Sequence, residues 1–186
     1  MNYVIRPVRH DEWEKVREIR LASLQDPAAP VAFLETYENA VAKPVEFWRD
    51  RTDTAAEAAT VCQFIAEDAA GRWLGTVTVL VEGPANDVAY GEAAAVNQAH
   101  LVGVYVRPEV RGTGLAEELF RVAVDWSWSL EAPPIERVRL YVHEKNPRAE
   151  AFYRRIGFLP TGASTPVPAD PTARDVEYEL RRGLSR

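Results

Sequence analysis

The chain has 186 residues, of which 47% are hydrophobic and 27% charged. That length and composition suit one globular domain and exclude wholesale disorder, a collagen-like repeat and a long coiled coil. The formal charge is −6, with Lys plus Arg at 22 and Asp plus Glu at 28, a balance that argues against non-specific nucleic-acid binding, which needs a positive field.

Cys62 is the only cysteine, so burial and not a disulfide must hold the core, and a reducing compartment is the natural setting. No long apolar run follows a basic start, and no apolar stretch reaches the roughly 18 residues of a bilayer span. The expectation is a soluble, cytoplasmic single domain over residues 1–186, with no membrane or nucleic-acid partner.

Taken in order, Tyr3-Val4-Ile5-Arg6-Pro7 is a short strand stopped by proline. Asp11 and Glu14 have capping-box spacing before a helix from Glu12 to about Gln25, carrying Trp13, Val16, Ile19 and Leu24 on its apolar side. Phe33, Leu34 and Tyr37 suggest helical turns, and Pro44 as an N1 residue opens a further helix with Phe47 and Trp48. Thr60–Ala66 and Trp73–Val81 are β-rich runs that read as an antiparallel hairpin. Cys62 lies inside the first of them and reads as a small buried side chain, since nothing beside it would activate a thiol.

The Gly-, Ala-, Asn- and Pro-rich stretch Glu82–Ala99 reads as a loop or lid. His100–Val106 is a strand that Arg107-Pro108 ends. Leu115, Leu119, Val122 and Trp126 then form a helical stripe, with Trp126 and Trp128 as partly buried surface. Val138–Val142 is another strand. Asn146-Pro147 opens a helix for which Gly157 is the C′ residue. Pro160–Thr172 reads as a polar, proline-rich connection, and Val176–Leu180 as a half-exposed closing strand because apolar and charged residues alternate. The order of elements predicts one α/β layered domain on a mixed sheet.

Chemistry concentrates at two glycine-marked junctions. At Arg111-Gly112-Thr113-Gly114 a strand gives way to an amphipathic helix, so turn and helix-start N–H groups converge on one spot that suits a phosphate. Arg107 and Arg111 can add charge there, and Thr113 can cap the helix. Neither the Walker A pattern nor the dinucleotide fingerprint is met. Anion binding and a plain tight turn both remain open on this ground alone. At the second junction Asn146 caps a helix and Tyr153 lies on the same side two turns on. A phenol titrates near 10, so at neutral pH it can donate a proton, as a departing thiolate requires, or simply pack beside Phe152.

These two junctions resemble the GNAT superfamily of N-acetyltransferases. Arg111-Gly112-Thr113-Gly114-Leu115-Ala116 is similar to its cofactor motif. Asn146, Ala149, Phe152, Tyr153, Gly157 and Phe158 match its second signature without a gap. The resemblance implies a GNAT-like α/β fold, with a mixed, mostly antiparallel central sheet whose strands four and five splay apart, flanked by helices. It implies acetyl-CoA as the acyl donor, with pyrophosphate on the amides of Arg111 to Ala116 and the pantetheine arm paired with Val104, Tyr105 and Val106. Asn146, Ala149 and Phe152 would complete the cofactor site.

The reaction implied is direct attack by a primary amine, of a small molecule or peptide, on the thioester. Tyr153 would be the general acid, and a backbone N–H near Val104 the donor to the carbonyl oxygen. Where many members carry a glutamate on strand four, this chain has His100, a reasonable base or a satisfied structural histidine. Glu67 and Glu92 are further candidates for the base, His143 at the end of strand five is a candidate for a substrate role, and no metal is required. A non-catalytic acyl-CoA-binding or sensing module is the competing reading, and an interaction protein with a vestigial turn is a third. Homodimers are common in the family, though no helix stripe here specifies one.

Overall fold

In the computed structural model, which describes residues 2–183, the apolar runs form seven strands of one sheet with helices on both faces. Strands are β1 (Tyr3–Pro7), β2 (Val61–Asp68), β3 (Trp73–Glu82), β4 (Gln98–Val106), β5 (Arg137–His143), β6 (Leu159–Val167) and β7 (Asp170–Arg181). Helices are α1 (Trp13–Leu24), α2 (Ala29–Ala32), α3 (Tyr37–Val41), α4 (Val45–Glu57), α5 (Leu115–Ser129) and α6 (Pro147–Arg155). The strand order is β1-β2-β3-β4-β5-β7-β6, and every neighbouring pair is antiparallel except the parallel β4–β5. Among the described residues no helix is long and apolar enough to cross a membrane.

Side-chain alternation along the strands sorts the core onto two faces. Phe64, Ala66, Leu74, Val77, Val138 and Leu140 pack with Leu115, Leu119 and Phe120 of α5 and with Phe158. Ile65, Trp73 and Tyr105 face the other way, against Val16 and Ile19 of α1 and Trp48 and Ala55 of α4. Cys62 is fully buried in the α5-side cluster, and burial pushes its thiol up to about 12, which makes it inert.

Several expectations change in detail. Glu12, not Asp11, precedes α1, and no side chain caps that helix. The Glu12 carboxylate accepts instead from the Arg9 amide at 2.8 Å and from Arg6, so the capping box does not form. Pro44 stands at the N-cap of α4, one place before N1. The stretch Pro160–Thr172 is not a connection: it holds most of β6, the following turn and the start of β7. Its prolines are compatible with a strand because β6 is a sheet edge, where a missing N–H faces no partner. Alternation along β7 does not mark a half-exposed strand either. Asp175 and Glu177 are buried: Glu177 pairs with Arg137 and Arg139, and Asp175 accepts from the Tyr90 hydroxyl in the loop between β3 and β4.

Candidate active site

β4 and β5 pair only at Gln98–Arg137, Ala99–Val138 and His100–Arg139. Beyond these three pairs the strands part, and a cavity of about 790 Å³ opens between Leu101–Val106 and Tyr141–His143. The β4 edge that faces it has no strand partner from Leu101 onward. β4 also carries a bulge. Thr76 pairs with Tyr105 and Thr78 with Val102, so two steps on β3 meet three on β4. The extra residue falls beside Gly103, which has φ +61°. Inserting one residue reverses the facing of those that follow. Ala99 and Leu101 contact the α5-side core before the bulge, and Val104 and Val106 contact it after.

The cradle at the cavity mouth is main chain. Gly112 and Gly114 have φ of +78° and +90°, a region that L side chains avoid. A Cβ built on either would meet nothing within 4 Å, so open space stands over both glycines. Gly114 is the N-cap of the 15-residue α5, with no side-chain cap bond, which leaves helix-start amides unclaimed by side chains. This geometry fits a pyrophosphate. Thr113 does not cap: its hydroxyl donates back to the Val110 carbonyl at 2.8 Å. Leu115 points into the core, so it and Thr113 offer the cradle only backbone.

Arg107 and Arg111 bond to protein acceptors. Arg107 donates to the Trp73 carbonyl at 2.7 Å and to Glu18. Arg111 donates to the Val106 carbonyl at 2.9 Å and pairs with Asp26. They brace the turn against β3, β4 and the end of α1. Asn146 caps α6 as expected, accepting from the Ala149 amide at 3.2 Å, and its Nδ2 reaches across the cleft to the Val31 carbonyl at 3.4 Å. Gly157 follows α6 with φ +98°.

Tyr153 and His100 line the same cavity, along with Val104, Tyr105, Val106, Ala116, Ala149 and Phe152. Tyr153 leans on Phe120, Phe152 and Phe158. Burial pushes its phenol up to about 12. Among the described residues its hydroxyl has no hydrogen-bond partner. His100 is 1% exposed, and its Nδ1 lies 2.9 Å from Glu82 Oε1. Burial works against ionisation of Glu82, but bonds from His100, Gln98 and the Arg139 charge outweigh it and hold the carboxyl below its usual range. An ionised Glu82 requires the proton on Nδ1 and leaves Nε2, which bonds to no described residue, as an acceptor.

The sequence places Glu82 at the start of a loop, and only the β3–β4 register, with Leu80 opposite His100, brings it alongside. Glu67 is bound to Arg6 and Lys15 away from the cavity. The exposed Glu92 contributes its backbone, accepting from Arg139 at 2.8 Å and donating to the Tyr141 hydroxyl at 2.9 Å. His143 lines the cavity and accepts from the Lys145 amide at 3.0 Å.

Around the dyad lies a buried charge network. Arg139, 0% exposed, donates to Glu82 at 2.6 Å and to Glu177 at 3.1 Å. Tyr90 donates to Asp175 at 2.7 Å, and burial followed by that bond raises its phenol. The segment Tyr90-Gly91-Glu92 seals the network. A side chain on Gly91 would come within 2.3 Å of the Tyr141 ring, so only glycine permits this closure.

The sheet is thus split between two parallel strands, with a glycine cradle at the mouth of the split. The acetyltransferase (GNAT) family model matches residues 13–158, and the chain belongs to that family. Its fold is similar to a GNAT-family acetyltransferase from Streptococcus pneumoniae, with TM-score 0.74, 14% identity and coverage of 98% of this chain and 100% of that one. It is also similar to the ribosomal-protein-S5-alanine acetyltransferase of Vibrio fischeri, with TM-score 0.72, 14% identity and coverage of 100% and 96%. The spermidine N-acetyltransferase of Vibrio cholerae, solved with CoA and spermine, gives TM-score 0.68, 15% identity and coverage of 97% and 95%. No curated protein sequence matches the chain.

Proposed function

We propose that this acetyltransferase uses acetyl-CoA to acetylate a primary amine by direct attack. The observation that carries the reading is the parted β4–β5 pair, which puts an unpartnered imidazole nitrogen and an unpartnered phenol in one cavity, with an anion cradle at its mouth. The amides from Arg111 to Ala116 and the free β4 edge at Val104–Val106 are the groups that would hold the donor.

When bound, acetyl-CoA supplies the acetyl group as a thioester. His100 Nε2 accepts a proton from the acceptor ammonium, and Glu82 stabilises the resulting imidazolium. A β4 amide near Val104 donates to the carbonyl oxygen as its charge grows. Tyr153 gives its proton to the departing sulfur. Burial lifts this phenol to about 12, which keeps the proton on it at neutral pH until the sulfur departs. The new amide bond replaces the carbon–sulfur bond, and one net proton is released to water.

The test is thiol release from acetyl-CoA across a panel of amines. Amine-dependent release is expected. Binding of acetyl-CoA with no release above spontaneous hydrolysis, whatever the amine, would leave a binding module. A cytoplasmic setting and the absence of nucleic-acid and membrane partners belong to the same proposal.

A further inference from the structure

We infer that the acceptor is an amine that also bears a carboxylate, and that Arg51, with Arg20 beside it, recognises that carboxylate; this rests on the acetyltransferase reading above. Position is the first argument. Strand parity puts His100 on the sheet face opposite Ala99 and Leu101, the face packed by α1 and α4. Arg20 on α1 and Arg51 on α4 line the cavity from that same side. The cradle leads into α5, which covers the other face. An anion at Arg51 therefore belongs to the molecule that meets His100, not to the donor's phosphates.

Pairing is the second. Arg20 directs Nε and Nη2 to one oxygen of Glu35, both at 3.0 Å. Among the described residues Arg51 makes no ion pair and no hydrogen bond, although it is exposed and lines the cavity. Of these two guanidiniums, only Arg20 has a carboxylate partner among the described residues. Asp26 and Glu117, which line the same cavity, pair with Arg111 and Arg155. Arg51 is exposed at the cavity wall, so it stays hydrated in the free protein and is open to an anionic partner. A carboxylate fits the guanidinium fork through two parallel bonds and supplies the partner that the fold withholds. Phe33, with Arg20 stacked 4.8 Å from its centre, adds an apolar wall for the rest of the acceptor.

The experiment compares α-, β- and ω-amino acids, each beside its carboxamide and its decarboxylated amine, by thiol release with the wild type, Arg51→Gln and Arg51→Lys. For the best acid, kcat/KM should exceed that of both analogues by roughly 10- to 100-fold, the range of a charge-assisted contact. Arg51→Gln should abolish the preference through KM, leave the KM for acetyl-CoA unchanged and unfold no earlier than the wild type. Arg51→Lys should keep part of the preference. Equal use of the amide or amine would overturn the proposal, as would an Arg51→Gln effect on acetyl-CoA in place of the acceptor. Transfer only to amines without a carboxylate would sink the substrate class and leave the acetyltransferase reading intact. Failure to bind acetyl-CoA would sink both.

Discussion

Tyr153 and His100 approach the split sheet from opposite faces, the phenol from α6 and the imidazole from β4, so the proposed acid and base do not compete for one position. Replacing Tyr153 by Phe should lower kcat by roughly 10²- to 10⁴-fold, the usual worth of a positioned proton donor, while acetyl-CoA binding measured by calorimetry is retained. Because burial lifts the phenol to about 12, it stays protonated through the neutral range. The variant's pH–rate profile should therefore be lower but keep the wild-type shape, and a lost alkaline limb would mean that the phenol titrates within the measured range. Glu82→Gln removes the negative partner of the imidazolium. The expected result is a lower kcat/KM for the acceptor with acetyl-CoA binding retained, because the imidazolium formed on proton transfer loses its counter-charge. An unchanged kcat/KM would mean that Glu82 is only structural.

At the scale of elements, two local irregularities make the cleft. The bulge at Gly103 re-aims Val104 and Val106, and the left-handed glycines start α5 with free amides. Gly114→Ala should destabilise the fold by about 1–2 kcal/mol, because an L residue is strained at φ +90°. It should weaken acetyl-CoA binding further by placing a methyl in the cradle. Thr113→Ala loses only the hydroxyl bond to Val110 and should bind acetyl-CoA normally. Paired denaturation and binding curves would separate these effects, and equal behaviour of the two variants would argue against the cradle. The helix-start glycines were legible in the sequence because their pattern is local. The bulge was not, since it exists only as a mismatch between two strands. The β6–β7 hairpin was missed because prolines usually break strands, and only an edge position makes them harmless.

Across the whole molecule, Arg139 ties β5 to β3 and β7 by bridging Glu82 and Glu177 at the closed end of the split. Burial opposes ionisation of Glu177, but its bond from Thr161 and the arginine charges hold its carboxyl low, as His100, Gln98 and Arg139 hold Glu82. Two depressed carboxyls contribute stability that is complete above the ordinary carboxylate range and disappears as pH falls through their lowered values. Arg139→Met reverses the sign. It leaves two buried carboxylates short of a cation, so the loss should be about 3–5 kcal/mol at neutral pH and should shrink as acid protonates them. Urea denaturation of both proteins at two pH values tests this, and a pH-independent difference would contradict it. For the wild type, acetyl-CoA at a hundred times its dissociation constant should add about 2.7 kcal/mol, or roughly 5–10 °C in the unfolding midpoint. No shift at millimolar ligand would count against the donor site.

Local pattern alone determined much of this protein. The order of elements, the glycine turn, the cap at Asn146 and the placing of Tyr153 two turns on along the same side of its helix all follow from neighbours within a few residues, where backbone sterics and periodicity act. Tertiary structure decided what depends on long-range register. The three-pair limit on β4–β5 contact, the Glu82 partner of His100, the burial of the β7 carboxylates and the gathering of Arg20 and Arg51 beside the cleft join residues far apart in the chain. Charge pairing across strands, unlike hydrophobic alternation along one strand, leaves no periodic mark in either segment by itself.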